Sequence, residues 1–148
     1  MDLLLYPVFI KYAIQKMSSR HVIKFKSLIE FWEWLPEDER IITDVLRGIV
    51  TDHLPESCEE KLTNNVPYFF GKRRICMIWP ASIPGGGIRK GVLFAFSYGN
   101  RLKDHDNYLD HGTNKRIFYK IYRSPKEINE TAIVKLLKDA VQVDSEFK

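Results

Sequence analysis

The sequence predicts an α+β domain in which N-terminal and C-terminal helices cover a mainly antiparallel sheet, in two layers. Apolar residues follow helical spacing up to about residue 50, alternate along strands between residues 73 and 122, and return to helical spacing after residue 124. Helices on either side of a run of strands are typical of α+β proteins, because a wound parallel sheet would alternate helix and strand. The 148 residues are enough for one domain with its own core.

Two helices are predicted ahead of the sheet. Ser27 can cap a short helix that extends to about Leu35, because its hydroxyl can accept a hydrogen bond from a free amide of the first turn. Pro36 suits the first turn of a second helix, and the three acidic residues after it oppose the positive end of the helix dipole. An apolar stripe continues through Val50, so this helix should end before Pro55.

Residues 1–25 are interpreted as an N-terminal extension, and residues 26–148 as the domain. Pro7 and Lys11 interrupt an apolar run between residues 3 and 14, which is shorter than the roughly 20 residues that cross a bilayer. The run also lacks the basic start and the clean cleavage site of a secretory signal. We therefore expect a cytoplasmic protein without membrane contact, and an extension through which two copies of the chain could associate.

Three strands are predicted from alternating apolar residues: Arg73–Trp79, Val92–Tyr98 and Arg116–Tyr122. Both faces of the second strand are apolar, which is typical of a central strand. Residues 80–87 contain three consecutive glycines and predict a loop between the first two strands. The segment Ser124–Glu127 has the form of a capping box with a first-turn proline, which predicts the start of a final helix.

A chain-long pattern of apolar and turn residues runs through Asn65–Phe69, Gly91–Tyr98, Gly99–Asp104, Lys115–Arg116 and the start of the last helix at Ser124–Ile128. Together these segments, which span about Ser27 to Val143, resemble the YdhG-like family, a bacterial domain family of largely unknown function. The resemblance implies a compact α+β fold in a cytoplasmic setting. One branch of that family is described as a frataxin-like iron chaperone, so iron is implied by the resemblance alone. The resemblance supplies no catalytic residues.

Positive charge is concentrated in the middle of the chain. Residues 72–126 contain 12 Lys and Arg against 3 Asp and Glu, whereas residues 1–71 contain 8 against 11 and residues 127–148 contain 3 against 5. Such a concentration attracts anions, for example a phosphorylated metabolite, an acidic protein surface or nucleic acid. Aromatic residues lie between the basic ones, as in proteins that stack single-stranded nucleic acid, but no RNP-type or helix-turn-helix motif is present. Solvated basic residues beside an aromatic core are the simpler interpretation.

The segment from residue 103 to residue 112 gathers three Asp and two His, which are side chains that metal ions bind. Their spacing matches neither an HExxH helix nor an EF-hand loop. Asp, Asn and Gly also favour turns for conformational reasons, so we interpret the segment as a polar turn between two strands. The metal ligands, if the protein has any, are not assigned.

The predicted site is a cleft on one side of the sheet with a basic rim, where a small anionic ligand or a partner protein would bind. The residues assigned to it are Asn65, Tyr68, Trp79, Arg89, Lys90, Lys115 and Arg116. No catalytic residue and no cofactor is assigned, because no serine or cysteine has the context of an activated nucleophile. A non-enzymatic binding domain is therefore favoured. An iron chaperone and a domain that binds single-stranded nucleic acid are the alternatives.

Overall fold

The computed structural model describes residues 24–148. Its helices and strands are α1 (Leu28–Trp34), α2 (Glu37–His53), β1 (Glu59–Thr63), β2 (Val66–Phe70), β3 (Arg74–Pro80), β4 (Val92–Phe96), β5 (Phe118–Tyr122) and α3 (Glu130–Ser145). Each strand pairs with the next in antiparallel orientation, so the sheet has the order β1-β2-β3-β4-β5. The predicted α+β class, with a mainly antiparallel sheet covered by helices, is confirmed.

Local hydrogen bonds mark the starts of the first two helices. The Ser27 hydroxyl accepts a hydrogen bond from the backbone N–H of Glu30, as expected for an N-terminal cap. Pro36 is itself the N-terminal cap of α2, and acidic side chains fill the first turn that follows. The helix ends with Leu54 as its C-terminal cap, directly before Pro55.

One face of the sheet packs against α2 and α3. Phe69, Ile78 and Phe94 project from this face and join Leu46 of α2 and Leu137 of α3 in a single core cluster. All five side chains are at most 2% exposed. Full burial of one such side chain contributes about 1.5–3 kcal/mol, so this layer supplies much of the stability of the fold.

The β1–β2 hairpin is a part of the sheet that the apolar alternation did not predict. Asn64 and Asn65 have φ values of 55° and 66°, which suit a two-residue turn between antiparallel strands and which asparagine tolerates better than most residues. β1 has little apolar character because it is an edge strand. The Arg47 guanidinium joins this edge to α2 through a 2.6 Å contact with the Glu60 carboxylate.

The opposite face of the sheet packs with the N-terminal segment. Tyr68, Met77 and Trp79 lie in a second core cluster with Phe31 and Trp34, which belong to α1. The short helix therefore covers the face opposite to α2 and α3. Helical periodicity shows that a helix has an apolar side, but it does not show which face of a sheet receives that side.

Phe25 also belongs to the second cluster. Its ring centroid lies 6.2 Å from that of Phe31 and 5.8 Å from that of Trp34. Its backbone N–H donates a 2.9 Å hydrogen bond to Oδ1 of Asn65. The packed fold thus includes at least one residue of the predicted extension. Residues 1–23 of that extension, and the association between chains that we assigned to it, lie outside the described residues.

The final helix begins later than the capping box predicted. The Ser124 hydroxyl accepts a hydrogen bond from the N–H of Lys126 and caps a 3-10 turn, Pro125–Glu127, rather than the helix. The helix itself begins at Glu130, where Oδ1 of Asn129 accepts a hydrogen bond from a first-turn amide. The prediction was wrong here because the segment contains two capping residues five positions apart. The first caps the 3-10 turn, and the second caps the helix.

Contacts to Trp79 and α2 hold the predicted glycine-rich loop between β3 and β4. The Trp79 indole N–H donates a 3.0 Å hydrogen bond to the carbonyl of Ile83. A Cβ atom on Gly85 or Gly86 would lie 2.7 or 2.6 Å from the indole ring, so the loop lies too close to the ring for a larger residue. The backbone N–H of Ser82 donates a 2.9 Å hydrogen bond to the Glu39 carboxylate of α2.

Candidate anion-binding site

The strand register places six of the seven predicted site residues at two opposite ends of the sheet, whereas Tyr68 lies in the middle of β2 and pairs with Met77. Pro80 pairs with Val92 at one end, which we name the loop end because the β3–β4 loop and the β1–β2 turn lie there. Cys76, Phe96 and Phe118 pair at the other end, near the C-terminus of α3, which we name the arginine end. A five-residue strand spans about 17 Å, so groups beyond the two ends do not reach one small ligand together.

Four of the seven predicted residues lie at the loop end, and Tyr68 lies in the middle of β2 beside one of them. Tyr68 and Trp79 are in contact, with ring centroids 6.3 Å apart, and are only 4% and 9% exposed. Asn65 closes the hairpin turn and binds the backbone of Phe25. Arg89 and Lys90 lie exposed on the loop. The aromatic residues of this group pack in the core, and their predicted role in ligand binding stays a prediction.

The other two predicted residues, Lys115 and Arg116, lie at the arginine end, just before β5. There the structure assembles a group that we name the Tyr98 cluster: Arg73, Tyr98, Arg101, Arg116 and Phe147. The Tyr98 and Phe147 rings are neighbours, with centroids 4.8 Å apart. Four segments distant in sequence therefore meet at one surface, with Tyr98 and Arg101 on the same turn. Lys115 is exposed beside the cluster.

Three guanidinium groups surround the two rings of the Tyr98 cluster. The Arg73 Cζ lies 4.2 Å from the centroid of Phe147, and the Arg116 Cζ lies 5.0 Å from the centroid of Tyr98. The Arg101 Cζ lies within reach of both rings, at 4.9 Å from Phe147 and 5.5 Å from Tyr98. Guanidinium groups at these distances are attracted to the faces of aromatic rings, and the contacts hold flexible side chains close together.

Backbone contacts fix the segments that carry the arginines. The 3-10 turn Gly99–Arg101 packs directly on β5, since a Cβ atom on Gly99 would lie 2.4 Å from Cβ of Phe118. The N–H of Asn100 donates a 3.1 Å hydrogen bond to the carbonyl of Arg116. These two contacts keep Arg101 next to Arg116, although 15 residues separate them along the chain.

The turn that carries Arg73 is attached to the end of α3. The Asp144 carboxylate accepts hydrogen bonds from the backbone N–H groups of Lys72 and Arg73, at 2.7 and 2.9 Å. The Lys72 ammonium donates to the carbonyls of Ser145, the last residue of the helix, and of Phe147, which follows the helix. A cation at this position is favourable because the last carbonyls of a helix lack partners within the helix. Both contacts bring the Arg73 turn close to Phe147.

The positive charge of the Tyr98 cluster is not neutralised within the part of the chain that the structure describes. No carboxylate among residues 24–148 forms an ion pair with Arg73, Arg101 or Arg116. The hydrogen bond from Nη1 of Arg73 to the Tyr98 hydroxyl, together with the charges of all three arginines, lowers the pKa of the Tyr98 phenol. Three exposed guanidinium groups that form no ion pair with the described residues make a surface that attracts anions.

The recess beside the cluster is too small to enclose a ligand. It is lined by side chains that include Arg74, Ile75, Tyr98, Val143 and Phe147, and its enclosed volume is about 10 Å³. A cavity of that size holds at most one water molecule. An anion that binds here would therefore stay at the surface of the protein.

The polar segment between β4 and β5 forms a turn, as predicted. The Asp104 carboxylate accepts hydrogen bonds from the backbone N–H groups of Tyr108 and Leu109, at 2.9 and 2.8 Å. Asp110 extends the sheet by an isolated bridge to Tyr119. Within residues 24–148, no group of three or more His, Cys, Asp or Glu side chains is arranged to hold a metal ion.

The buried titratable groups of the core are suited to packing rather than to chemistry. Burial raises the pKa of the Cys76 thiol, so that it stays protonated and a poor nucleophile. Burial and a 2.6 Å hydrogen bond to the Tyr108 hydroxyl raise the pKa of the Tyr122 phenol. Neither group lines an open cleft, since both side chains are at most 1% exposed.

Sequence reasoning assigned only Arg116 of the Tyr98 cluster to the site, and it did not assign Arg73, Tyr98, Arg101 or Phe147. Arg101 belongs to the basic middle segment, and it lies three residues after Tyr98 in a Gly-Asn-Arg turn. This spacing in the sequence could have indicated that Arg101 lies near Tyr98. Phe147 lies after α3, in a segment whose net charge is negative, and no local pattern connects it with Arg73. The attachment of the Lys72–Arg73 turn to Asp144, together with the contacts of the Lys72 ammonium with the Ser145 and Phe147 carbonyls, brings them together.

The fold and the site define this chain as a small α+β domain with an exposed arginine cluster at one end of its sheet. No family of known proteins, no curated protein and no solved structure matches the chain. None of the helices within residues 24–148 has the length and apolar character that crossing a membrane requires.

Proposed function

We propose that this chain is a non-enzymatic binding domain that holds an anionic group of a small ligand or a partner protein at the Tyr98 cluster. The observation that carries the proposal is that three exposed guanidinium groups surround one pair of aromatic rings and lack ion-pair partners among residues 24–148. Like charges repel, so the free cluster is electrostatically costly until an anion binds.

The chemistry of the arginine side chain supports an anion as the ligand. A guanidinium that lies over a ring keeps its N–H donors in its own plane, where they can still reach an oxyanion. Hydrogen bonds between guanidinium groups and oxyanions are charge-assisted and often bidentate, and each contributes about 1.5–3 kcal/mol. Of the predicted site residues, Arg116 belongs to the cluster and Lys115 lies beside it.

Among residues 24–148, no comparable group of cations and rings lies at the loop end. Arg89 and Lys90 are exposed there, whereas Tyr68 and Trp79 pack in the core. The iron chaperone alternative rests on the resemblance to the YdhG-like family. The Tyr98 cluster is therefore the place where we expect an anion to bind.

The test compares two variants with the same change of charge. The cluster variant is Arg73→Gln, Arg101→Gln and Arg116→Gln, and the control variant is Arg89→Gln, Lys90→Gln and Lys126→Gln, all of which are exposed at the loop end. Inorganic sulfate and phosphate are titrated into ¹⁵N-labelled protein at low salt. We expect shifts of the Arg101 and Arg116 amide resonances, an affinity loss of about 100-fold or more in the cluster variant, and little change in the control.

Equal losses in both variants would mean that the anions respond only to net charge, and the proposal would then be wrong. Shifts concentrated at the Arg89 and Lys90 amides would instead place the site at the loop end. Circular dichroism of each variant confirms that it has folded before the titration is interpreted.

A further inference from the structure

We infer that the anion held at the Tyr98 cluster is a phosphate monoester on a phosphorylated side chain of a partner protein. This inference rests on the proposed function and adds the chemical class of the ligand. Three features of the cluster point to it: its exposure at the surface, the convergence of its guanidinium groups, and the absence of a free aromatic face for a nucleic-acid base.

The first feature is the shape of the surface. The recess next to Tyr98 and Phe147 has room for about one water molecule, whereas a free metabolite usually binds in a cleft that buries most of its surface. An anion bound at an open surface has only a small contact area of its own. It binds more tightly when it is part of a macromolecule that makes further contacts around it.

The second feature is the grouping of positive charge. Arg73 and Arg101 both lie within 4.9 Å of the centroid of one ring, and Arg101 and Arg116 share the other. A phosphate monoester carries a charge of about −1.5 to −2 near neutral pH and presents three acceptor oxygens. Clusters of arginine recognise phosphorylated side chains in several unrelated domains for this reason. A carboxylate, with one charge and two oxygens, satisfies fewer of these donors.

The third feature concerns the aromatic rings. Proteins that bind single-stranded nucleic acid gain much of their affinity from bases that stack on exposed rings. Arg101 and Arg116 both lie over the Tyr98 ring, and Phe147 is only 8% exposed. A base would have to displace an arginine to stack here. The cluster therefore favours a single compact dianion over a chain of phosphodiesters, each of which carries one charge.

The residues around the cluster also indicate the character of the partner. Lys103 and Lys115 are exposed, and each lies within two residues of a cluster arginine in sequence. Acidic residues close to the phosphorylated position would be attracted to these two lysines. We therefore expect the partner segment to be acidic on at least one side of the phosphate.

The experiment uses synthetic peptides with one central phosphoserine and random flanking residues, which carry a fluorescent label. The same pool after phosphatase treatment, a pool with glutamate at the centre, and a single-stranded oligothymidylate of similar length serve as comparisons. Anisotropy is measured with the wild-type chain, the cluster variant and the control variant. We expect the phosphoserine pool to bind about 30-fold or more tightly than the dephosphorylated pool, and about 10-fold more tightly than the glutamate pool.

The cluster variant should bind the phosphoserine pool no more tightly than the dephosphorylated pool. The control variant should keep the preference of the wild type within about 3-fold. Acidification from pH 7.5 to pH 5 should weaken binding of the phosphoserine pool, because the second ionisation of a phosphate monoester has a pKa of about 6. Inorganic sulfate remains a dianion over this range, so its binding at the cluster should not weaken in parallel.

Two results would overturn the inference. If the oligothymidylate bound more tightly than the phosphoserine pool at equal salt, and through the same arginines, the ligand would be nucleic acid. If the phosphoserine pool bound no better than its dephosphorylated form while sulfate still bound at the cluster, the site would hold anions without a preference for phosphorylated protein. A loss of sulfate binding as well would remove the proposed function itself.

Discussion

Single atoms decide where Arg73 lies. A Cβ atom on Gly71 would lie 2.2 Å from Oδ2 of Asp144, which is the oxygen that accepts the N–H of Lys72. Only glycine lets the carboxylate approach this closely, and the carboxylate in turn brings the turn to the end of α3. The position of Arg73 in the Tyr98 cluster thus depends on Gly71 and Asp144, neither of which contributes positive charge to the cluster.

Gly71→Ala and Asp144→Ala should therefore have overlapping effects. Each removes the contact between the turn and α3, so each should lower the free energy of unfolding by about 1–3 kcal/mol, and the double variant should lose clearly less than the sum. Urea denaturation of the four proteins measures this. Strict additivity would show that the two residues act independently. Both single variants should also weaken sulfate binding, because Arg73 would leave the cluster.

The Tyr108 and Tyr122 hydroxyls form a second contact that depends on single atoms. Tyr122 is 1% exposed, whereas Tyr108 is half-buried and can reach water. Tyr108→Phe should cost about 1–3 kcal/mol because it leaves the buried Tyr122 hydroxyl without this partner. Tyr122→Phe should cost less, and the double variant should be close to Tyr122→Phe. Thermal or urea denaturation tests this order; equal costs for the two single changes would contradict it.

At the scale of an element, the β3–β4 loop shows how one buried carboxylate can attach a loop to a helix. Glu39 is 8% exposed, and its carboxylate accepts the N–H of Ser82. Burial raises the pKa of Glu39, and the hydrogen bond from Ser82 only partly opposes this effect. The folded chain therefore disfavours the charged form of Glu39 relative to the unfolded chain.

At pH 7, Glu39→Gln should be as stable as the wild type or more stable by up to about 1 kcal/mol. The reason is that the amide oxygen can still accept the N–H of Ser82. The sign follows from the raised pKa. The cost of the charged carboxylate is present in full above the folded pKa and disappears below the unfolded value of about 4.3, where both states are protonated. The difference between variant and wild type should therefore shrink as the pH falls.

Chemical denaturation between pH 4 and pH 7.5 follows this difference. A variant that is less stable than the wild type at pH 7, and equally stable at pH 4, would show that the charged carboxylate is favourable in the fold. Glu39→Ala is the matched comparison, since it removes the acceptor of the Ser82 N–H. It should be less stable than Glu39→Gln at every pH.

At the scale of the whole molecule, two core layers share one sheet. The first contains α2 and α3, and the second contains α1 and all three tryptophans, Trp32, Trp34 and Trp79. Adjacent residues of β3 project into different layers, so Ile78 belongs to the first and Trp79 to the second. Neither layer can separate from the sheet without exposing side chains of the same strands.

We therefore expect both layers to unfold in one transition, as in most single domains of this size. Tryptophan fluorescence reports the second layer, and far-ultraviolet circular dichroism is dominated by α2 and α3 in the first. The two urea midpoints should coincide. A fluorescence midpoint at clearly lower urea would show that α1 and the aromatic cluster detach before the sheet and its large helices unfold.

The sequence by itself determined the α+β class, α1 and α2, and most of β3, β4 and β5, because capping residues and apolar periodicity act over a few neighbouring positions. It did not reveal the β1–β2 hairpin, since an edge strand with the sequence Glu-Glu-Lys-Leu-Thr lacks apolar alternation. It also indicated a basic middle segment, but not which basic side chains would share a surface.

The tertiary structure decided that last question. Strand register separates Arg89 and Lys90 from Arg116 by the length of the strands. At the arginine end, the fold brings Arg73, Arg101 and Arg116 to one pair of rings. The physical reason is that electrostatic attraction falls with distance in space, whereas sequence order constrains only neighbours along the chain. The antiparallel order of the strands and the contact of Asp144 with the Lys72–Arg73 turn bring residues that are distant in sequence close together in space.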